Sequence, residues 1–251
     1  MRIDLNCDMG ESFGAYTIGN DAGLMPLITS ANIACGFHAG DPLVMQQITG
    51  LAIQHGVALG AHPGYRDLVG FGRRSLDATP AEIEADVLYQ IGALAAFARA
   101  QSVSLKHVKA HGALYNVAAV RPEIARAIAR AVAGFDPHLI MVCLAGSKMV
   151  EAAQEQHLRV AREGFADRAY NRDGTLRSRR EPGSVIHDPQ QAAQQALQMV
   201  REQTVTTPEG DKIPIEVDTL CIHGDNPAAV QNAKAIRELL EHNGVTVAPL
   251  T

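Results

Sequence analysis

Short apolar runs alternate with longer helix-patterned ones along the whole chain, and that rhythm limits the fold more than any other feature. Strand-like runs cover 2–8, 28–36, 57–63, 107–115, 138–146, 159–167 and 219–225, with 245–250 as a candidate eighth. Helical patterns rich in Ala, Leu, Gln or Glu fill 42–55, 80–101, 121–133, 190–203 and 227–242. Pro42, Pro80, Pro122, Pro189 and Pro227 stand near their first turns, where a missing N–H costs little. Strands separated by helices pair in parallel through crossovers, so the expected class is α/β. Seven or eight such units without a composition break favour a (β/α) barrel-like fold of seven or eight parallel strands, one catalytic domain over 1–251. An open doubly wound sheet is the alternative, because strand order is not written in one sequence.

The chain has 251 residues, 47% of them hydrophobic, enough to bury a sizeable core. Its net charge of −5 offers no basic footprint, so neither nucleic acid nor a membrane is expected as a partner. The opening MRIDLNCDMGE turns polar at once, and no later stretch reaches about 18 uninterrupted apolar residues, which points to the cytoplasm. Cys7, Cys35, Cys143 and Cys221 lie far apart inside apolar runs, as buried reduced thiols do.

Two segments break the rhythm: 64–79, containing GFGRR, and 168–188, containing five arginines. Loops of this length in a compact domain are usually functional or disordered. Parallel α/β folds build their sites where strands end, and polar residues collect there in this chain. Period-two alternation puts Asp4, Asn6 and Asp8 on one face of the first run and Ile3, Leu5 and Cys7 on the other. Glu11, Asn32, His38, Asp41 and His62 follow at the next ends; His107, Lys109 and His111 align in the fourth run; Glu163, Asp167 and Arg168 end the sixth; and His223, Asp225 and Asn226 end the seventh.

One histidine alone is ordinarily a hydrogen-bonded structural residue, and His55, His138, His157, His187 and His242 are assigned that way. The set is harder to dismiss, because burying unpaired carboxylates or an ammonium costs several kcal/mol. Asp8, Glu11, Lys109, Glu163 and Asp225 are reasonable only around a shared polar site. Carboxylates with histidines can hold a divalent metal or aim a water, and the spacing does not separate these uses. There is no HExxH, EF-hand, GxxxxGK[ST], GxGxxG or GxSxG pattern.

Seven blocks in order, NCDMGE (6–11), SANIACGFHAGD (30–41), GAHPGYRD (60–67), GFGRR (70–74), KAHGALYN (109–116), EGFADRAY (163–170) and CIHGDNP (221–227), resemble the LamB/YcsF family, whose characterised function is that of the A subunit of prokaryotic 5-oxoprolinase. The resemblance implies a barrel related to the glycoside hydrolase and deacetylase type. It also implies ATP-dependent hydrolysis of 5-oxo-L-proline to L-glutamate with partner subunits B and C, and leaves a homo-oligomer open. Similar proteins read KPHGALYN, and Ala110 stands here for that proline.

On this reading the catalytic candidates are Asp8, Glu11, Lys109, His111, Glu163, His223 and Asp225. Substrate or phosphate binding falls to Asn6, Arg73, Tyr115, Asn116, Arg168 and Asn226, and a divalent metal to Asp8, His38 and His62. ATP enters as co-substrate. Two rivals share these residues or do without them: a stand-alone metal-dependent deacetylase or carbohydrate hydrolase, and a non-catalytic scaffold for the partner subunits.

Overall fold

The computed structural model describes residues 1–222 and 228–250. Its strands are β1 (Arg2–Met9), β2 (Ser30–Ala34), β3 (Ala58–His62), β4 (His107–Lys109), β5 (Ile140–Leu144), β6 (Arg159–Phe165), β7 (Thr204–Thr206), β8 (Lys212–Pro214), β9 (Thr219–Ile222) and β10 (Thr246–Val247). Its α-helices are α1 (Asp21–Leu24), α2 (Pro42–His55), α3 (Pro80–Ala100), α4 (Gly112–Val120), α5 (Pro122–Phe135), α6 (Lys148–Glu155), α7 (Pro189–Glu202) and α8 (Ala229–His242). Strands β1 to β6 and β9 are paired in parallel, and β9 returns to β1, closing a barrel of seven strands. The expected barrel is therefore present with the smaller strand number. The eighth run contributes only β10, which pairs with Arg2 and Ile3 below the point where β9 takes over the same edge at Asp4.

Helix starts follow the sequence signals. Asp41, Thr79 and Asp188 cap α2, α3 and α7 through their side chains, each followed by proline, and Thr79 with Glu82 completes a capping box. Pro227 lies outside the described residues. The sequence reading missed the short helices α4 and α6 and the antiparallel β7–β8 hairpin.

The fourth run needs correction. It reads as extended to residue 115, but β4 ends at Lys109 and His111 is already the residue before α4. Gly112 takes φ +54, and a Cβ there would meet the Gly72 carbonyl oxygen at 2.7 Å. The chain turns at that glycine, and Ala113 N–H donates to the same oxygen at 2.9 Å. His111 therefore reaches the site as a helix-entry residue, not by strand alternation from Lys109, while Ala110 between them is packed in the apolar core.

Register decides what fills the barrel. Asn6 is level with Ser30 and Cys221, Asp8 with Asn32, Gly60 with His107, and Glu163 with Thr219. Ile3, Leu5, Cys7 and Met9 alternate outward into the large apolar core under the helices. Apolar side chains usually fill such barrels. Here only one end is apolar, where Ile140, Val142 and Ala161 pack against Leu250. Above them the interior is polar, and above that lies the site.

Candidate active site and metal centre

Lys109 is the centre of the polar interior. Its ammonium lies 2.9 Å from Asp8 Oδ1 and 2.9 Å from Glu163 Oε1, with Asn6 Oδ1 at 3.3 Å and Cys221 Sγ at 3.0 Å. Burial works against its charge, but Asp8, Cys221 and Glu163 outweigh that and hold the ammonium well above the usual lysine range. Lys109 is a fixed cation.

The groups around it are cross-braced. Tyr115 Oη donates to Glu163 Oε2 at 2.5 Å, and Asn6 Nδ2 donates to Glu163 Oε1 at 2.9 Å and to Thr219 Oγ1 at 2.7 Å. Asn32 Nδ2 donates to Asp8 Oδ1 at 2.9 Å and Asn6 Oδ1 at 2.7 Å, while His107 Nε2 donates to Asn32 Oδ1 at 2.7 Å. Burial pushes His107 down to about 3, so its ring is neutral at ordinary pH. Asp4, deeper still, accepts from Thr29, Ser30 and Thr219; burial raises its carboxyl above the usual range.

Beside Lys109 stand three buried histidines and Glu11. One ligand atom from each of Glu11, His38, His62 and His111 lies within 4.8 Å of all the others. His38 and His111 stack at 3.7 Å between ring centroids with 5° between planes. Burial, then the neighbouring histidines, lowers His38 well below the usual histidine range and His111 to about 3. Both ring nitrogens of His38 are buried without a hydrogen-bond partner. Gly72, at φ +61, makes this packing possible, since a Cβ there would lie 2.7 Å from both His111 Cδ2 and His38 Cβ.

A cleft of about 700 Å³ opens over these groups. Asp8, Glu11, His62, Lys109 and His111 form its floor, and Arg73, Arg74, Arg168, Arg177, Arg179 and Arg180 its walls. The two loops that break the strand–helix rhythm supply all six arginines. Arg168 donates to the Ser184 and Arg177 carbonyls, closing the 168–188 loop on itself, and burial lowers it to about 10. Arg74 is paired with Asp67, whereas Arg179 and Arg180 have no acidic partner within 4.0 Å among the described residues.

A model of the LamB/YcsF family matches residues 3–251. The chain belongs to the LamB/YcsF family. It is 59% identical over 246 residues to a protein of Symbiobacterium thermophilum named as the A subunit of 5-oxoprolinase, covering 98% of this chain and 94% of that one. A Pyrococcus furiosus protein of the same name is 53% identical over 250 residues, covering 100% and 98%. The crystal structure of a lactam utilization protein from Thermus thermophilus superposes with a TM-score of 0.95 at 52% identity, each chain covered completely.

In this LamB/YcsF chain most of the residues singled out in the sequence converge. Asp8, Glu11, His62, Arg73, Lys109, His111, Tyr115, Asn116 and Arg168 all border the cleft. Asn6 and Glu163 lie beneath it, fully engaged with neighbours, and His38 lies behind His111. His223, Asp225 and Asn226 lie outside the described residues. The five histidines set aside as structural are all outside the buried interior. Sequence reasoning missed the bracing roles of Asn32 and His107, both visible only as polar residues on strands, and the contribution of Arg74, Arg177, Arg179 and Arg180, visible only as a basic loop.

Proposed function

We propose that this chain opens the lactam ring of 5-oxo-L-proline to give L-glutamate, in an ATP-dependent reaction carried out with partner subunits B and C. The observation that carries the reading is the braced Lys109 ammonium at the floor of an arginine-walled cleft, in a chain whose end-to-end relatives are named as the A subunit of 5-oxoprolinase.

Ring opening needs three things from the protein. Water must add to the carbonyl carbon, negative charge must be held on the carbonyl oxygen, and the ring nitrogen must leave with a proton as the C–N bond breaks. Lys109 cannot serve as the base, because it stays protonated; it suits the second task, as a fixed charge requiring no reorganisation. Asp8 turns Oδ2 toward His62 at 3.3 Å, on the floor of the cleft, and is assigned to orient the water and take its proton. His111 and Glu11 border the same point.

The arginines supply the anion-binding side of the reaction. Arg73, Arg179 and Arg180 suit the substrate carboxylate or an ATP-derived phosphoryl group, through charge-assisted hydrogen bonds. Arg168 holds their loop in place.

A divalent metal fits the residues present: donor atoms of Glu11, His62 and His111 come together at the cleft floor. Such an ion would supply Lewis acidity toward a water or carbonyl. The same cluster favours one second reading, a metal-dependent hydrolase that needs no ATP. Glutamate release from 5-oxoproline, assayed with and without ATP and each partner, separates the two. Release only in the complete mixture supports the proposal, and acetate release from acetylated sugars without ATP supports the rival.

A further inference from the structure

The hydrogen bonds of His62 and His111 fix which of their nitrogens carry protons. His62 Nδ1 lies 2.7 Å from the Lys109 carbonyl oxygen, and His111 Nε2 lies 2.9 Å from the Phe71 carbonyl oxygen. A carbonyl can only accept, so both of these nitrogens bear hydrogen. The remaining nitrogens, His62 Nε2 and His111 Nδ1, face each other at 3.0 Å. In neutral rings that is one lone pair against another. Among the described residues acidic oxygens flank them: Asp8 Oδ2 is 3.3 Å from His62 Nε2, and Glu11 Oε1 is 3.5 Å from His111 Nδ1. An arrangement of this kind is repulsive unless a proton or a metal cation sits among the atoms, and the nitrogen and carboxylate donors around the point suit a metal.

We infer that the cation is a divalent first-row ion held by His62 Nε2, His111 Nδ1 and Glu11 Oε1; the His38 ring, stacked parallel on His111, does not aim a lone pair at the same point. Spacing supports it. Ligands at about 2.1 Å from zinc lie about 3.0–3.4 Å apart when cis or tetrahedral. His62 Nε2 and His111 Nδ1 already stand at such a distance, 3.0 Å, and Glu11 Oε1 is just outside it, 3.5 Å from His111 Nδ1. Metal-binding histidines ordinarily donate their other ring N–H to a carbonyl or carboxylate, which is what Lys109 O and Phe71 O accept here. A nitrogen-rich set selects zinc or cobalt over magnesium or calcium, which demand oxygen. Asp8 is left to Lys109, so the ligand set differs from Asp8, His38 and His62.

The inference deepens the hydrolytic reading without depending on the lactam, so each can fail alone. Chain stripped with a chelator is titrated with Zn²⁺ and Co²⁺ by calorimetry, the cobalt form is followed by its visible absorption, and zinc-soaked crystals locate the ion by anomalous scattering. One ion per chain is expected, within coordination distance of His62 Nε2 and His111 Nδ1. Affinity should fall 100-fold or more in His111→Gln and Glu11→Gln and less than 10-fold in His107→Gln, with circular dichroism confirming that each variant folds. No binding at millimolar Zn²⁺, an ion located elsewhere, or unchanged affinity in folded His111→Gln and Glu11→Gln would overturn it. Glutamate release by metal-free chain would not rescue it.

Discussion

Lys109 Nζ sits 2.9 Å from Asp8 Oδ1 and 2.9 Å from Glu163 Oε1, so one buried ammonium ties strands β1, β4 and β6 together across the barrel. Removing it strands two carboxylates. Lys109→Met should lose about 3–5 kcal/mol of stability, the usual cost of breaking a buried ion pair from one side. Lys109→Met/Glu163→Gln should recover part of that loss. Chemical denaturation of both variants checks this; an undiminished Lys109→Met would show that the pair contributes nothing.

Tyr115 braces the same carboxylate from α4. Tyr115→Phe leaves Glu163 Oε2 without its 2.5 Å donor and should cost about 1–3 kcal/mol, as for other buried acceptors left unsatisfied. Urea unfolding at pH 7 reads the loss. A change below a few tenths of a kcal/mol would contradict the hydrogen bond.

His107 gives a signed pH dependence. Its folded pKa is depressed to about 3 by burial, so below the unfolded value of about 6.5 the unfolded chain binds the extra proton. Stability from this group is present above about 6.5 and is lost toward about 3, at about 1.4 kcal/mol per pH unit. Asp21, raised to about 6 by burial, acts in the opposite sense over part of that window. The readout is therefore the difference between wild type and His107→Gln, whose slope between pH 6.5 and 4.5 should be shallower. Equal slopes would contradict the assignment.

Arg179 and Arg180 border the cleft without an acidic partner among the described residues. If they receive an anionic group, Arg179→Ala/Arg180→Ala should raise KM by about 10-fold or more, in keeping with loss of charge-assisted hydrogen bonds. The effect should shrink at high salt. An unchanged KM at low salt would remove these arginines from the binding wall.

Much of the site was legible in the sequence because barrels put their polar residues at strand ends. The alternation of Asp4, Asn6 and Asp8 against Ile3, Leu5 and Cys7 correctly divided interior from core. Extending the same alternation through 107–115 failed. The turn there depends on Gly112 meeting the carbonyl of Gly72, a contact 40 residues away that no local pattern records. The metal donors show the same limit. Asp8 reads as well as Glu11 for a ligand in the sequence, and the contact of Asp8 with Lys109 depends on the pairing of strands far apart in the chain. Asn32 and His107 were visible as polar strand residues, but their bracing of Asp8 depends on the registers of β1 to β4.

The most direct test is glutamate release from 5-oxoproline by the purified chain with both partner subunits and ATP, wild type beside folded Lys109→Ala and His111→Ala. Release by wild type is expected only in the complete mixture, with a loss of about 10² or more in each variant, the scale of a lost electrostatic stabiliser at the site. No glutamate from the complete wild-type mixture, or near-normal release by a folded Lys109→Ala chain, would contradict that assignment.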